Sequence, residues 1–257
     1  MLSALIKYRA HVALCFLAFF LVLNRTTYKG GDLWWMAAAF TLLNLAIYVF
    51  NKATDVHEDA ANQTAIARAA LPLLYYSSAL YFLLPLLWLR SNVPALLIYI
   101  VIGGIGLWYS QAFLGFRLKE VLFVKNLAAA VIWAVPLVLV GAIEAGMATA
   151  HLATFGVVFL GVLAVEAMWD VRDLTGDRKF KIKTLPNVLG VNVTKLISLC
   201  YLVAAAFVVW AYGLPTNLAI GIGLLGVYVA EVHEERTPAF YHFFMVFWVV
   251  IMTLLLL

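Results

Sequence analysis

Apolar stretches of about twenty residues recur along the whole sequence and limit the possible folds more than any other feature. Of the 257 residues, 66% are hydrophobic and only 12% are charged. A soluble globular domain is roughly half apolar and one quarter charged, so this composition indicates lipid as the main solvent. A bilayer core about 30 Å thick needs roughly 20 apolar residues per helix. We therefore predict an all-α, multi-pass membrane protein in which residues 1–257 form a single transmembrane domain.

Nine membrane spans are predicted from these stretches. They cover residues 9–24, 33–50, 71–89, 94–115, 121–143, 149–169, 195–212, 215–230 and 239–257. Two connections, 51–70 and 170–194, are long and polar. Because they follow the second and the sixth span, both lie on the membrane side that holds the N-terminus.

The basic residues predict the orientation. The chain has 17 lysine and arginine residues. Three of them, Arg25, Lys29 and Arg90, lie on one predicted side, and the other fourteen (17 − 3) lie on the side of the N-terminus. Since cytoplasmic loops carry the excess of positive charge, the N-terminus and both long connections are predicted to be cytoplasmic and the C-terminus to lie outside. This excess explains the basic composition without nucleic-acid binding, which we do not expect.

The first long connection begins with an acidic segment. Asn51, Asp55 and Asp59 are spaced at i, i+4 and i+8, so they share one face if the helix continues beyond the membrane. Like charges at this spacing repel one another, and a divalent cation between them removes the repulsion. Acidic residues at the end of a span are also commonly just solvated, and one such segment alone favours that simpler interpretation.

A second acidic segment begins the other long connection. Asp170, Asp173 and Asp177 are spaced at i, i+3 and i+7, which again places them on one helical face. Two matched segments on one side of the membrane favour a shared site over solvated loops. Hard carboxylate oxygens suit Mg²⁺, and two such clusters facing one another are expected to hold Mg²⁺ that bridges a diphosphate. The predicted metal ligands are Asp55, Asp59, Asp173 and Asp177.

Cations on the same side are candidates for contact with the diphosphate. They are Arg117, Lys119 and Lys125 after the fourth span, Lys52 and Arg68 beside the first segment, and Lys179, Lys181 and Lys183 after the second. Lys119 and Lys183 are preferred for their positions within the motifs described next. Glu166 lies one helical turn before Asp170, inside a span. An ionisable residue there is a functional candidate, either as the base that takes a proton from a second substrate or as a structural group that snorkels or hydrogen-bonds to a neighbouring helix.

The two segments together resemble the signatures of the UbiA superfamily of intramembrane prenyltransferases. The resemblance continues through the run from Asp170 to Gly190, which includes Lys183-Thr-Leu-Pro186. It also includes Tyr109-Ser110 at the end of the fourth span, followed by Arg117-Leu-Lys119 and Lys125-Asn126. Residue 52 departs from it, because many members carry aspartate where this chain has lysine. With the nine predicted spans, the resemblance covers most of the chain.

The resemblance implies a nine-helix bundle around a central cavity, open to lipid, with a cytoplasmic cap formed by the two acidic segments. It implies Mg²⁺-dependent transfer of a prenyl group from a polyprenyl diphosphate to a lipophilic, usually aromatic, acceptor, as in quinone and prenyl-lipid biosynthesis. Membrane lipid would surround the site. The implied catalytic residues are Asp55, Asp59, Asp170, Asp173, Asp177 and Glu166. The implied substrate-binding residues are Asn51, Tyr109, Lys119, Lys183, Arg117 and Arg68.

Three other functions would place different demands on the sequence. A cyclase of the same fold would ionise the prenyl diphosphate and close the chain on itself. A cation or metabolite transporter would place its carboxylates near the bilayer midplane, whereas here all but Glu166 lie at the ends of spans. A CDP-alcohol phosphotransferase would need an Asp-Gly-x-x-Ala-Arg signature, which the sequence lacks.

Overall fold

The computed structural model describes residues 9–28, 31–61 and 66–256. Within these residues the regular secondary structure is helical, apart from one isolated β-bridge between Phe113 and Phe116. The all-α prediction is therefore confirmed for the described part of the chain. Lys7 and Lys29, which contribute to the predicted charge asymmetry, lie outside it, as does the last residue of the predicted span 239–257.

The described residues form fourteen α-helices, numbered in chain order. They are α1 (Ala10–Asn24), α2 (Gly31–Thr54), α3 (Val56–Ala61), α4 (Leu71–Leu83), α5 (Leu86–Leu89), α6 (Val93–Ser110), α7 (Val124–Ala134), α8 (Val140–Glu144), α9 (Thr149–Arg172), α10 (Leu174–Lys179), α11 (Leu185–Leu189), α12 (Val191–Ala211), α13 (Thr216–Glu231) and α14 (Pro238–Leu256). Short 3₁₀ turns cover Arg68–Ala70 and Leu118–Glu120, and a π-helical turn at Val135–Leu139 joins α7 to α8.

Six helical segments are long and apolar enough to cross a membrane. They are Asp32–Thr54, Arg68–Leu89, Val93–Ser110, Val124–Glu144, Thr149–Arg172 and Val191–Ala211. Three shorter apolar helices, Ala10–Asn24, Thr216–Glu231 and Pro238–Leu254, coincide with the remaining predicted spans. Such a set of apolar helices is that of an integral, multi-pass membrane protein.

The predicted end of the fourth span is wrong by five residues. The helix ends at Ser110 rather than at residue 115, because Gln111 has extended backbone angles. Leu114 and Gly115 then adopt positive φ angles of 54° and 84° and turn the chain back. Because the helix ends early, the connection that carries Lys119 lies close to the bundle. The apolar composition of residues 111–115 does not predict this placement.

The long helices pack in a closed ring. Helix α14 packs against both α13 and α1, and the circuit then continues through α2, α6, α7, α9 and α12 back to α13. Helix α9 belongs to this ring and also contacts α13 and α14. Large apolar side chains point away from the ring, with Tyr76, Trp210 and Phe243 each more than 70% exposed. Large apolar side chains exposed to this extent are stable in lipid but not in water.

A π-helical turn interrupts the helix from Val124 to Glu144. Pro136 lies in this turn and lacks the N–H group that a regular helix requires, so the hydrogen-bond ladder is widened locally. The Asn24 side chain donates a hydrogen bond of 2.9 Å to the carbonyl of Leu137 and satisfies a backbone group there. The turn lies directly after Trp133, an aromatic residue of the cavities described below.

Candidate diphosphate and metal site

The first acidic segment extends helix α2 beyond the membrane. The backbone N–H of Asp55 donates to the carbonyl of Asn51 at 2.9 Å, and that of Asp59 donates to the carbonyl of Asp55 at 2.8 Å. These i to i−4 bonds carry the helical repeat from α2 into α3, although the two helices are separated at Asp55. Asn51, Asp55 and Asp59 consequently share one face, as their spacing predicts.

The second acidic segment extends helix α9 in the same way. The backbone N–H of Asp173 donates to Trp169 at 3.1 Å, and that of Asp177 donates to Asp173 at 3.0 Å. The helical repeat therefore continues into α10, which packs against α3. The two acidic segments, separated by more than one hundred residues in the sequence, thus lie side by side.

A polar cavity of about 100 Å³ lies between the two segments and the ends of the long helices. It brings together nine of the twelve site residues that the sequence predicts. They are Asn51, Asp55, Asp59, Tyr109, Lys119, Glu166, Asp170, Asp173 and Asp177. The other three are placed differently. Arg117 contacts the first segment from outside the lining, whereas Arg68 and Lys183 are exposed and the described lining does not include them.

Lysine and arginine side chains neutralise the first segment. Lys52 lies 2.7 Å from Asp59, and Lys119 contacts both Asp55 and Glu58, the latter at 2.5 Å. Arg117 lies 2.9 Å from Glu58. Lys52 and Lys119 are only 5% and 3% exposed, so these ion pairs are buried, and removal of either partner would leave an uncompensated charge.

Lys125 and Arg172 neutralise much of the second segment. The Lys125 ammonium lies 2.7 Å from Asp170 and 3.4 Å from Asp177. Arg172 lies 2.5 Å from Asp173. The preference for Lys183 over Lys125 is not supported by this geometry. The chain turns after α10, where the N–H of Ile182 donates to the Asp177 carbonyl at 2.9 Å and the Ile182 side chain lines the cavity. The side chain of Lys183 is exposed instead.

Three carboxyl groups of the polar cavity that lie outside the membrane spans have perturbed pKa values. Burial raises the pKa of Asp55 to about 6, against the opposing effect of Lys119. Burial likewise raises the pKa of Asp177 to about 6, although Lys125 opposes it. For Asp173, burial would raise the pKa, but the Arg172 guanidinium outweighs it and holds the value at about 2. Perturbed carboxyl groups that cluster in one cavity are typical of a functional site.

These values predict how the stability of the metal-free protein depends on pH. Asp55 and Asp177 bind protons more tightly when folded than when unfolded, so stability should increase as the pH falls from 7.5 through 6 to 5. Asp173 opposes this only below its unfolded pKa, near 4. We expect the change in the thermal unfolding midpoint between pH 7.5 and pH 5, measured in detergent with a chelator, to favour pH 5 more in the wild type than in Asp177→Asn. An equal change in the two proteins would contradict the assignment.

Three of the buried polar atoms around the cavity, all on arginine or asparagine side chains, have no hydrogen-bond partner among the described residues. They are Nη1 of Arg9, Nη1 of Arg172 and Oδ1 of Asn51. The two guanidinium groups lie over the ring of Trp169, at 5.6 Å and 4.5 Å from its centroid. Buried donors without partners are costly, so their presence indicates an anionic ligand. The sequence patterns do not select Arg9 or Glu58. The sequence does give a reason to select Arg172, because this residue stands between Asp170 and Asp173 of the second segment.

The oxygen atoms of the cavity suit a hard divalent cation that also binds the oxygen atoms of a ligand. Across residues 9–28, 31–61 and 66–256, no three acidic, histidine or cysteine side chains are grouped closely enough to hold a metal ion by themselves. The carboxylates are divided between the segments, and the free Asn51 oxygen faces the same cavity. Mg²⁺ commonly binds through one or two carboxylates together with phosphate oxygens and water, and it does not need a complete protein cage.

A second cavity, almost entirely apolar, joins the polar one. Its volume is about 110 Å³, and its walls come from α1, α7, α9, α13 and α14. Four residues line both cavities, namely Tyr48, Trp133, Glu166 and Trp169. The Trp133 indole donates a hydrogen bond of 3.0 Å to the Tyr48 hydroxyl, which fixes two of these rings. A ligand with a charged head and an apolar tail would have its junction at these four side chains.

Glu166 differs from the other carboxylates of the polar cavity. Each of the other six, Asp55, Glu58, Asp59, Asp170, Asp173 and Asp177, has a lysine or arginine within 4 Å. Glu166 has no such partner among the described residues, and it alone of the seven also lines the apolar cavity. An ionisable side chain at the junction of two cavities, without a permanent partner, is free to exchange a proton with a ligand.

The fold is that of an integral membrane protein, with a polar cavity beside an apolar one. Comparison with known proteins identifies the family. The UbiA prenyltransferase family matches residues 12–251, and the chain belongs to this family. The chain is also 30% identical, over 184 residues, to the digeranylgeranylglyceryl phosphate synthase of Pyrococcus abyssi (strain GE5 / Orsay). That match covers 69% of this chain but only 62% of the relative's length.

Solved structures share the fold. A UbiA homologue from Aeropyrum pernix K1, in its apo form, has a TM-score of 0.71 and 20% identity, and the match covers 93% of this chain and 94% of that one. A UbiA homologue from Archaeoglobus fulgidus, bound to DMAPP and Mg²⁺, has a TM-score of 0.68 and 14% identity, with 98% of each chain covered. At these identities the likeness establishes the fold alone.

Proposed function

We propose that the protein is a prenyltransferase that uses Mg²⁺ to move a prenyl group from a prenyl diphosphate to a lipophilic acceptor within the membrane. The main support for this proposal is a pair of adjoining cavities that share four lining residues, one rich in paired charges and one apolar. A prenyl diphosphate has the same two parts. In the nine-span topology that we propose, the acidic segments form a cap on the cytoplasmic side.

The chain's own cations would bind the diphosphate. Lys119 and Lys125 line the polar cavity, and their ammonium groups already bridge carboxylates that a bound anion would approach. Arg9 and Arg172 add N–H groups without partners. Fixed positive charges in a water-poor cavity stabilise the negative charge that develops on a leaving diphosphate, because screening there is weak.

Magnesium would be held by carboxylates of the acidic segments, with Asp173 and Asp177 on one side and Asp55 and Asp59 on the other. When bound, it supplies positive charge that assists cleavage of the allylic C–O bond. A magnesium-bound UbiA homologue of the same fold supports this assignment. Arg172 holds the carboxylate of Asp173 ionised and oriented, so this oxygen donor is available throughout the physiological pH range.

Residues at the junction would guide the transfer. The aromatic face of Tyr109 can stabilise positive charge on the allylic carbon, and the apolar walls exclude water from it. The ring of Trp169 already carries the guanidinium groups of Arg9 and Arg172. The C–O bond to the diphosphate breaks, its electron pair leaves with the diphosphate, and a bond forms from the acceptor to the allylic carbon. Glu166 would take the proton that the acceptor loses.

Two classes of acceptor are consistent with the cavities. The family resemblance favours a lipophilic aromatic acceptor, as in quinone biosynthesis. The relative from Pyrococcus abyssi is named for the synthesis of a glyceryl phosphate lipid, and its partial match makes a glyceryl phosphate acceptor the second candidate. In both cases the acceptor's apolar part would lie in the apolar cavity and its nucleophile near Glu166.

A single assay tests the proposed function. The purified protein is incubated with radiolabelled geranylgeranyl or farnesyl diphosphate and Mg²⁺, with and without a panel of aromatic and glyceryl phosphate acceptors. We expect diphosphate release and a labelled acceptor product, both abolished by a chelator. Diphosphate release with a cyclised hydrocarbon and no acceptor product would identify a cyclase. Uptake of substrate into proteoliposomes without diphosphate release would identify a transporter.

Glu166→Gln should reduce turnover without weakening substrate binding. The amide keeps the size of the side chain but cannot accept a proton, so kcat is expected to fall by about 10²-fold while KM for the prenyl diphosphate stays within twofold. The pH profile of kcat should also lose its acidic limb. A raised KM with unchanged kcat would instead assign Glu166 to substrate binding.

A further inference from the structure

The apolar cavity is elongated along the helices that surround it. Three of these helices each line it with one continuous face, since the lining residues recur at helical spacing. The α9 face runs from Val157 to Trp169, the α13 face from Leu218 to Leu225, and the α14 face from Met245 to Met252. A cavity with walls of this kind suits an extended chain better than a compact group.

The length of the apolar cavity can be read from two helices. Glu166 and Trp169 mark the near end, because both also line the polar cavity. On α9 the lining continues for nine residues from Glu166 to Val157, or about 13 Å. On α14 the His242 ring lies 5.5 Å from the Trp169 ring, and Met252 follows ten residues later, about 15 Å along the helix.

Met252 occupies the far end of the cavity. Its side chain is only 2% exposed, and a Cβ atom on Gly221 would clash with its sulfur, so Met252 fills the space that the glycine leaves. The Trp248 indole donates a hydrogen bond of 2.9 Å to the Gly221 carbonyl, and its ring lies 5.1 Å from the ring of Phe19. These contacts join α14 to α13 and to α1, so the position of Met252 is fixed by its neighbours.

We propose that Met252 limits the length of the prenyl chain that the protein accepts, and that the preferred chain has three isoprene units. This inference rests on the proposed function and names its prenyl donor. If each bond advances about 1.2 Å, as in an extended peptide chain, an isoprene unit of four main-chain bonds advances about 5 Å. Three units then span about 15 Å, which matches the cavity, whereas a fourth unit extends the chain to about 20 Å, beyond Met252.

The apolar walls distinguish chains by length and not by hydrogen bonds. Each isoprene unit that fits into the cavity gains free energy because its apolar surface is removed from water. The first unit that does not fit must displace packed side chains at the far end, which costs free energy. Affinity should therefore rise with chain length up to the unit that reaches Met252 and fall with the next one.

Gly161 provides a second, independent test because it lines the same cavity about halfway along. It lies five residues from Glu166 on α9, or about 7 Å. A Cβ atom at this position would lie 3.8 Å from Cδ1 of Leu225, which is an ordinary van der Waals contact. A larger side chain can therefore be introduced at Gly161 without a backbone clash, and it would shorten the cavity.

The proposal is tested by the binding of donors of three lengths. The purified full-length protein, with Mg²⁺ and without an acceptor, is titrated in a calorimeter with S-thiolo analogues of geranyl, farnesyl and geranylgeranyl diphosphate, which resist ionisation. In the wild type we expect the farnesyl analogue to bind about tenfold more tightly than either of the others. The geranyl chain buries less apolar surface, and the fourth unit of the geranylgeranyl chain has no room.

Two variants should shift this preference in opposite directions. Met252→Ala lengthens the cavity, so the geranylgeranyl analogue should bind at least as tightly as the farnesyl analogue. Gly161→Leu shortens it, so the farnesyl analogue should lose its advantage over the geranyl analogue. The matched controls are Met147→Ala and Gly104→Leu, since Met147 is 51% exposed, a Cβ atom on Gly104 would meet open space, and neither residue is among those that line the cavity. Both controls should keep the wild-type order.

Equal binding of the three analogues by the wild type would overturn the proposal. An unchanged order in folded Met252→Ala and Gly161→Leu would also overturn it. If Met252→Ala does not fold, Gly161→Leu decides alone, because it removes no packed side chain. Binding in the expected order without prenyl transfer to any acceptor would contradict the proposed function and leave the length limit standing. Prenyl transfer at equal rates from all three diphosphates would leave the proposed function standing and overturn the length limit.

Discussion

Asp173→Ala is expected to lower kcat by about 10²- to 10³-fold, with little change in the fold. The substitution removes a carboxylate oxygen from the centre of the second segment. It also removes the partner of Arg172, whose guanidinium lies 2.5 Å from Asp173 and over Trp169 at the junction of the cavities. The loss should be measured as prenyl transfer at saturating substrate, together with the concentration of Mg²⁺ that gives half-maximal rate.

The matched control for this variant is Glu234→Ala. Glu234 is an acidic residue paired with Arg178 at 3.7 Å, and both side chains are more than half exposed, so the pair contributes little to stability. Activity of this control should remain within twofold of the wild type. Asp173→Asn should resemble Asp173→Ala, because the amide keeps the shape but loses the charge. Full activity in Asp173→Asn would show that the anionic oxygen is not needed there.

The membrane fold could be predicted from the sequence because lipid imposes a simple rule on composition. Six of the predicted spans coincide with helices long and apolar enough to cross a membrane, and the boundaries differ by only a few residues where the helix ends in a polar loop. The end of the fourth span was missed because residues 111–115 include Phe113 and Leu114, which are apolar but lie outside the helix. Hydropathy indicates only that a segment prefers lipid. The end of the helix depends on the backbone angles, which are extended at Gln111 and positive in φ at Leu114.

The placement of the acidic residues could also be predicted, since both segments continue the helices that precede them. Helical spacing alone places Asp55 on the face of Asn51 and Asp173 on the face of Asp170. Which lysine and arginine side chains reach the cavity is harder to predict from the sequence. Lys125 is buried against Asp170 and Asp177, whereas Lys183 is exposed. Whether a lysine reaches the cavity depends on the turn after α10 and on the packing of α7 against α9, which no local pattern encodes.

Arg9 and the pairing of Lys52 with Asp59 required the structure for a different reason. Arg9 stands at the start of the first helix, and only the closed ring of helices brings it over Trp169 of α9. Lys52 departs from the family pattern, and the sequence leaves open whether its ammonium points toward Asp59 or toward water. The distance of 2.7 Å and the burial of the side chain answer this question.

Lys125→Met is expected to destabilise the metal-free protein by about 3–5 kcal/mol at neutral pH, because it removes the cation from a buried ion-pair network. The ammonium lies between Asp170 and Asp177, which are 1% and 5% exposed. Methionine fills much of the same volume, so the loss reports the charge and not a cavity. The free energy of unfolding can be measured by titration of the detergent-solubilised protein with sodium dodecyl sulfate.

The pH dependence of this loss distinguishes a charge effect from a packing effect. With Lys125 in place, the pKa of Asp177 is already about 6, and loss of the ammonium raises it further. At pH 5 the uncompensated carboxyl group can take a proton, so Lys125→Met should be less destabilising at pH 5 than at pH 7.5. Lys179→Met, at an exposed lysine two residues beyond Asp177, should cost less than about 0.5 kcal/mol at either pH. An equal loss from Lys125→Met at both pH values would mean that packing, and not the ion pairs, makes Lys125 important.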